Sequence, residues 1–179
     1  MKKENKTQYV LLGLLNIHPQ SGYDLKNNIQ KTVGYFWSES YGQIYPTLAQ
    51  LEKVGLVSKT VQKSGRQRQI YSITAKGRKI LKQWLQTPIT LPKIRNELLL
   101  KVFFASSIPT EVSIKHIAAY MEQTQQLHGI LKQIEKIILQ HPQYNPKKPY
   151  NLLTVQFGIL ATGAEMTWCK QALKKLQSI

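Results

Sequence analysis

Apolar residues recur at helical spacing in two short segments near the start of the chain. The first runs from Tyr9 to Ile17, and His18-Pro19 ends it, because the residue before a proline is pushed out of helical geometry. Ser21 and Asp24 then make an S-x-x-D start signal for a second helix that runs to about Lys31. The pattern therefore predicts two short helices before the first aromatic cluster.

A third helix is predicted within Glu39–Gly55. Its apolar face consists of Ile44, Leu48 and Leu51. Ser40 and Gln43 are spaced as a capping box, but a proline at Pro46 would then lie past the first turn, where it removes a donor and clashes with the carbonyl four residues earlier. We expect regular helix to begin nearer Gln43, the alternative being a kinked helix, and Gly55 to end it.

After Gly55 the period changes from that of a helix to that of a strand. Leu56–Gln62 and Arg68–Thr74 alternate apolar or β-branched residues with polar ones around a basic turn, which predicts a β-hairpin. Thr74 can cap a fourth helix that runs from Ala75 to about Gln86. This helix is expected to bury Ile80, Leu81, Trp84 and Leu85. Helices followed by a hairpin are typical of a winged helix-turn-helix domain.

The second half of the chain is predicted to be helical. Helices are expected over 93–105, 110–140 and 150–177, with a proline-rich loop before the last of them. The predicted fold is mainly α with one small β-hairpin: a winged helix-turn-helix domain followed by an α-helical dimerisation domain. The predicted bounds are 1–87 for the first domain, 88–92 for a linker and 93–179 for the second domain.

A hairpin of two long helices has little core of its own and needs a partner surface. It could pack on its own winged domain, but we favour pairing with a second copy in a two-fold dimer. The residues expected at that interface step by three or four along the last helix: Leu153, Phe157, Leu160, Ala164, Trp168 and Leu176.

The net charge of the chain indicates what kind of molecule it binds. The chain has 179 residues and a formal net charge of +16. No acidic residue lies between Glu52 and Glu97, an interval that holds eleven lysines and arginines. Such a stretch favours a polyanion, because phosphate contacts release condensed counterions. We therefore predict that double-stranded DNA is bound.

Polar residues of the third helix and cations of the hairpin supply what DNA recognition requires. A groove-facing helix needs polar donors and acceptors near its start, which Gln43, Tyr45, Thr47 and Gln50 provide. The hairpin turn needs long cations that can approach phosphates closely. Those cations are Lys63, Arg66 and Arg68.

Enzyme chemistry is not predicted. Asp24 is the one aspartate, the acids are dispersed, and the four histidines lack metal-ligand spacing. Cys169 is a lone cysteine on an apolar helix, where packing is favoured over redox sensing. No cofactor, metal or membrane association is predicted; the charged start MKKENKTQ is not followed by an apolar signal segment, and the expected location is the cytoplasm.

Several strings carry a family likeness. They are Leu12–Leu15 leading into SGYDL at 21–25, FWSESYGQIYPTLAQLEKVGLV at 36–57, and YSITAKG at 71–77. In these strings the chain resembles the PadR family of bacterial transcriptional repressors. NELLLKVFFASSI at 96–108 resembles the entry helix of the C-terminal domain in the longer members, and beyond Thr110 the likeness is one of helix pattern and length.

The resemblance implies a homodimeric winged-helix repressor on a short palindromic operator. Operator contacts would come from the third helix and its approach: Tyr41, Gln43, Tyr45, Thr47 and Gln50. Phosphates would lie near the hairpin cations and near the start of the second helix, at Ser21, Tyr23 and Lys26. Two alternatives stay open: a repressor of a multidrug exporter, and a winged helix that binds protein without sequence-specific DNA binding.

The resemblance also implies release from DNA by phenolic acids such as hydroxycinnamates. Aromatic residues near the expected domain junction are the candidates for binding such an effector: Tyr35, Phe36, Trp37 and Trp168. The first three follow one another and equally suit the end of a hydrophobic core, whereas Trp168 is a candidate by analogy with an aromatic at the dimer centre of short members.

Overall fold

A computed structural model describes residues 6–62, 68–89, 91, 95–140 and 147–178. The chain divides into two compact units, Met1–Leu91 and Pro92–Ile179. The elements are α1 (Thr7–Leu15), β1 (Gln20–Ser21), α2 (Gly22–Thr32), α3 (Tyr41–Lys53), β2 (Val57–Gln62), β3 (Arg68–Ile73), α4 (Ala75–Leu85), α5 (Glu97–Phe103), a 3-10 turn (Ala105–Ser107), α6 (Thr110–Gln140) and α7 (Lys148–Leu176). No helix within these described ranges is long and apolar enough to cross a membrane.

The core of the first unit is built by the apolar faces of its predicted helices. Its fully or almost fully buried members are Leu11, Leu12, Leu15, Leu25, Ile29, Ile44, Leu48 and Leu51. Burying one such side chain contributes roughly 1.5–3 kcal/mol. These buried side chains therefore determine how α1, α2 and α3 pack. The prediction of a mainly helical winged-helix fold is confirmed.

The hairpin is part of a three-stranded antiparallel sheet of order β1-β3-β2. Strands β2 and β3 pair from Val57 with Ile73 to Gln62 with Arg68, as the alternation predicted. The third strand, β1, was not predicted because two residues are too short for a periodic pattern. Its pairing of Ser21 with Ile70 holds the start of α2 beside β3.

The predicted late start of α3 is wrong. The helix begins at Tyr41 with Ser40 as N-cap, and Pro46 lies inside it. The Gln43 Oε1 atom accepts hydrogen bonds from the Ser40 backbone N–H (2.9 Å) and hydroxyl (3.0 Å). These bonds and the burial of Ile44, which precedes the proline, offset the backbone bond that Pro46 cannot make.

Helix α4 begins as predicted. The Thr74 hydroxyl accepts a hydrogen bond from the Gly77 N–H at 3.0 Å and donates to the backbone oxygens of Gly55 and Leu56. A Cβ at Gly77 would lie 2.2 Å from the Leu56 oxygen. Burial of Leu85 was predicted and is wrong, since its side chain is 67% exposed.

The second unit is a helical hairpin preceded by the short helix α5. Side-chain hydrogen bonds join His128 to Thr162 (2.8 Å) and Glu135 to Gln156 (3.2 Å). Partner numbers rise along α7 as they fall along α6, so the two helices are antiparallel. The helix predicted over 93–105 is shorter than expected: α5 ends at Phe103 and a 3-10 turn follows.

Candidate nucleic-acid interface

One face of α3 points away from the core and carries polar and aromatic side chains. Tyr41, Gln43, Tyr45 and Gln50 are exposed on it. Tyr41 and Tyr45 are one turn apart, and their ring centroids lie 6.1 Å from each other. Two phenol groups, which can both donate and accept, therefore stand side by side on the leading turns of the helix.

Gln43 has a structural duty as well as an exposed position. Its side-chain oxygen is taken by the N-cap of α3, so the side chain cannot use that oxygen to pair with adenine while the cap is intact. Within the part of the chain that the structure describes, the Gln50 side chain takes no part in capping α3. Gln50 is therefore the better candidate for reading a base.

Thr47 and Ser21 were predicted to contact DNA, and their burial does not suit this. Thr47 is 6% exposed and shares the inward face of α3 with Ile44 and Leu51, three residues before it and four after it. Ser21 is 5% exposed, and its hydroxyl is bound to Asp24. Thr47 lies three residues after Ile44 in the sequence, and this helical spacing already indicates that its side chain points inward.

The start of α2 is tied to β3 by one carboxylate. Asp24 accepts hydrogen bonds from the Ser21 hydroxyl (2.7 Å) and N–H (3.2 Å), which completes the predicted cap. The Arg68 Nη2 atom lies 2.6 and 2.7 Å from its two oxygens. Burial acts to raise the pKa of Asp24, but the Ser21 hydrogen bonds and the Arg68 charge outweigh it and hold the pKa below its ordinary value.

Gly22 explains how α2 and α3 approach each other here. A Cβ at this position would lie 2.6 Å from the ring of Tyr45, so a larger residue would require this half-exposed ring to move. The approach leaves an open groove of about 710 Å³, lined by Ser21, Gly22, Tyr23, Tyr45, Arg68, Gln69 and Tyr71. The exposed Tyr23 thus stands beside Tyr45 and Arg68. Gln69 and Tyr71 were not among the predicted site residues.

Lys26 links α2 to the approach of α3. Its ammonium donates a hydrogen bond to the backbone oxygen of Glu39, the residue before the N-cap. The Glu39 carboxylate in turn accepts from the indole N–H of Trp37 at 2.7 Å. Lys26 therefore positions the beginning of α3, in addition to the phosphate contact predicted for it.

Of the predicted hairpin cations, Arg68 begins β3 and lies beside the groove. Lys63 and Arg66 lie outside the described residues, and their DNA contacts stay predictions.

Two of the aromatics predicted to bind an effector line a common cavity of about 250 Å³ in the first unit. The walls are Lys6, Val10, Gly13, Leu14, Val33, Phe36, Trp37 and Trp84. Tyr35 packs edge-on against Phe36, with ring centroids 4.8 Å apart. Trp84, which was predicted only as a core residue, stacks on Tyr9 at 4.3 Å. Trp168 belongs to the second unit and is half-buried there.

Most of the residues predicted for the dimer interface are exposed in the single chain. The inward face of α7 is formed by Val155, Gly158, Thr162 and Cys169. Leu153, Phe157 and Leu160 are 63%, 69% and 74% exposed, Ala164 is exposed, and Trp168 and Leu176 are half-buried. An apolar row thus lies open on the outer side of α7.

Cys169 is buried, and its burial raises the pKa of the thiol, which disfavours the reactive thiolate.

These features define a winged-helix protein with an exposed helix and a neighbouring cation suited to nucleic acid, followed by a helical hairpin. The family model for the transcriptional regulator PadR-like family matches residues 11–83, and the model described as virulence activator alpha C-term matches residues 94–177. Over residues 11–83 the chain is thus similar to the PadR-like family of transcriptional regulators.

Individual relatives agree with this family. The negative transcriptional regulator PadR of Bacillus subtilis is 33% identical over 104 residues, which cover 56% of this chain and 57% of the relative. A second curated relative, from Mycobacterium tuberculosis, is matched over 38% of its length. The chain therefore spans about half of the length of the first relative and less than half of the second. These relatives are named as regulators, in agreement with the prediction that the chain is not an enzyme.

Solved structures are similar over almost the full chain. A PadR-like regulator from Bacillus cereus is 28% identical with a TM-score of 0.81, covering 97% of this chain and 99% of that one. B. subtilis PadR in complex with operator DNA, at 22% identity, has a TM-score of 0.86 and the same coverage. The same protein in complex with p-coumaric acid has a TM-score of 0.75, covering 99% of both chains. The likeness to B. subtilis PadR in these structures concerns the fold.

Proposed function

We propose that the chain is a cytoplasmic, DNA-binding transcriptional regulator, acting as a homodimeric repressor on a palindromic operator. Residues 1–87 bind DNA and residues 93–179 dimerise. The observation that carries this is the exposed face of α3, where Tyr41, Tyr45 and Gln50 lie free of the core and Tyr45 shares a groove with Arg68. The long stretch without acids adds the electrostatic attraction that DNA binding requires.

The outer row of α7 supports the dimer. Leucines and a phenylalanine exposed side by side are costly in water, and a second copy of the row would cover them in a two-fold arrangement. Two DNA-binding units related by a two-fold axis match an operator whose half-sites are related in the same way.

The test is a gel shift with DNA taken from upstream of the gene and its neighbours, against a scrambled duplex of equal composition. A preferred site that footprints as an inverted repeat is expected. Equal affinity for every duplex at physiological salt would contradict a specific regulator. A reporter placed behind the site then measures the direction of control, since the C-terminal family model carries the name of an activator.

The second candidate function is a winged helix that binds an acidic protein. Its supporting observation is the basic charge itself, which attracts any polyanion. Co-purification of one acidic protein after nuclease treatment, with no shift on any DNA, would establish it in place of the regulator.

Gln50→Ala and Arg66→Ala are expected to weaken DNA binding in different ways. Loss of a base contact at Gln50 relaxes sequence preference by about 1–3 kcal/mol at one position and leaves the salt dependence unchanged. Loss of a phosphate contact at Arg66 weakens all duplexes similarly and lowers the salt slope by about one.

Fluorescence anisotropy on operator and scrambled duplexes from 50 to about 200 mM KCl separates the two effects. Gln50 is preferred to Gln43 for this comparison, because a Gln43 variant would also remove the α3 cap. The opposite pattern would mean that helix and wing have been assigned the wrong roles.

Hydroxycinnamic acids are expected to release the protein from its operator. The cavity lined by Phe36, Trp37 and Trp84 has apolar walls, as pockets for aromatic ligands usually have. Its volume suits one aromatic ring. p-Coumaric acid titrated into the protein–DNA complex should restore free DNA at or below about millimolar concentration, with cyclohexanecarboxylic acid as the non-planar control. Retention of the complex at that concentration would reject phenolic acids and leave drugs as the effector class to be screened.

A further inference from the structure

Asp24 places a negative charge on the surface proposed to meet DNA phosphates. Residues 1–91 contain four acids, of which Glu39 is 4% exposed and Glu52 pairs with Lys59 at 3.0 Å. A carboxylate and a phosphate that come close together repel each other, and the repulsion is stronger beside a protein surface than in bulk water. Asp24 therefore opposes DNA binding unless its position serves another purpose.

The carboxylate is fixed and Arg68 is its movable partner. Asp24 is held on α2 by the hydroxyl and N–H of Ser21. Arg68 reaches it from β3 through Nη2, and the Arg68 side chain remains 51% exposed. The pairing of β1 with β3 fixes the distance between the two. An arginine proposed to contact phosphate thus already binds an anion in the free protein.

We infer that Asp24 is a specificity-determining residue that competes with DNA phosphate for Arg68. The two carboxylate oxygens of Asp24 accept hydrogen bonds from a guanidinium as two phosphate oxygens do. Arg68 therefore leaves Asp24 only for a phosphate whose oxygens are well placed to accept the same hydrogen bonds. Non-specific binding is almost wholly electrostatic, whereas a specific complex fixes its phosphates through base contacts as well. Competition therefore lowers affinity for arbitrary DNA more than for the operator. This inference rests on the proposed function.

The test replaces Asp24 by asparagine, which keeps an oxygen for the Ser21 N–H and removes the charge. An exposed ion pair contributes up to about 1 kcal/mol, so the scrambled duplex should bind about three- to fivefold more tightly. The operator duplex should change by less than about twofold, and the salt slope on scrambled DNA should steepen by about one per protomer. Fluorescence anisotropy with both duplexes between 50 and about 200 mM KCl measures all three quantities.

Further variants show whether the effect passes through Arg68. Asp24→Glu keeps the charge and the capping-box pattern and should retain wild-type selectivity. Asp24→Asn in an Arg68→Ala background should bind like Arg68→Ala alone. Glu97→Gln removes one charge from the exposed pair with Lys101 in the second unit and should leave both affinities unchanged. Circular dichroism and thermal melting check each fold, and Asp24→Ser is the second neutral variant if asparagine lowers the melting temperature.

Two results would overturn the inference while leaving the proposed function intact. One is wild-type affinity of both neutral variants for scrambled DNA. The other is equal tightening with and without Arg68, which would mean a general charge effect. A wild-type protein that shifts no DNA at physiological salt would overturn the proposed function and this inference together.

Discussion

Replacing Phe157 by aspartate is expected to leave the protein monomeric and to weaken operator binding at least about 100-fold. Each dimer would otherwise bury two unpaired carboxylates in an apolar interface, at a cost of several kcal/mol. A monomer also loses the high effective concentration with which the second DNA-binding unit finds its half-site. Analytical ultracentrifugation and anisotropy on the operator duplex measure the two effects.

Phe157→Leu is the matched control for this prediction, because it keeps an apolar side chain in the row and should remain dimeric. The aspartate variant should keep its helix content, since position 157 is 69% exposed in the single chain. Sedimentation of Phe157→Asp at the wild-type mass would show that the outer face of α7 is not the dimer interface.

Gly77→Ala is expected to destabilise the first unit by about 3 kcal/mol, as overpacked cores do. The added methyl group would lie 2.2 Å from the backbone oxygen of Leu56 and 2.8 Å from a side-chain carbon of Ile73. Relief requires α4 to move away from the β2 start, where the Thr74 hydroxyl also donates to the Leu56 oxygen. The glycine of the YSITAKG string is therefore a packing requirement.

Urea unfolding in a Trp168→Phe background measures this effect, because the remaining tryptophans, Trp37 and Trp84, both belong to the first unit. Gly13→Ala is the control: a Cβ there has nothing within 4 Å, so a gain of up to about 1 kcal/mol from helix propensity is expected. An unchanged urea midpoint for Gly77→Ala would contradict the close contact.

Periodicity predicted the helices and the hairpin because each buries a face that repeats over several turns or strand residues. It failed where a single contact decides. The proline rule predicted a start of α3 near Gln43, but the Ser40–Gln43 cap begins the helix at Tyr41, and Ile44 and Leu48 are fully buried on either side of Pro46. Burying two such side chains contributes roughly 3–6 kcal/mol, more than the roughly 3 kcal/mol that an internal proline costs.

The candidate site was predicted less completely than the fold. Exposure of Tyr41, Tyr45 and Gln50 followed from their places around α3. The Asp24–Arg68 pair joins residues 44 positions apart through a strand of two residues, and no local pattern contains it. Thr47 was predicted to contact DNA because its side chain is polar. Its spacing from Ile44 nevertheless places it on the buried face of α3.

The Gln43 cap also limits how this protein could be given a new operator. The inward positions of α3 are committed to the core, Pro46 cannot be moved without changing the backbone, and Gln43 holds the helix start. Recoding the DNA sequence preference is thus confined to Tyr41, Tyr45, Ala49 and Gln50, together with the predicted DNA-contacting cations Lys63 and Arg66. A library randomised at those four positions alone would sample the helix's own contribution to base selection without disturbing the scaffold that presents it.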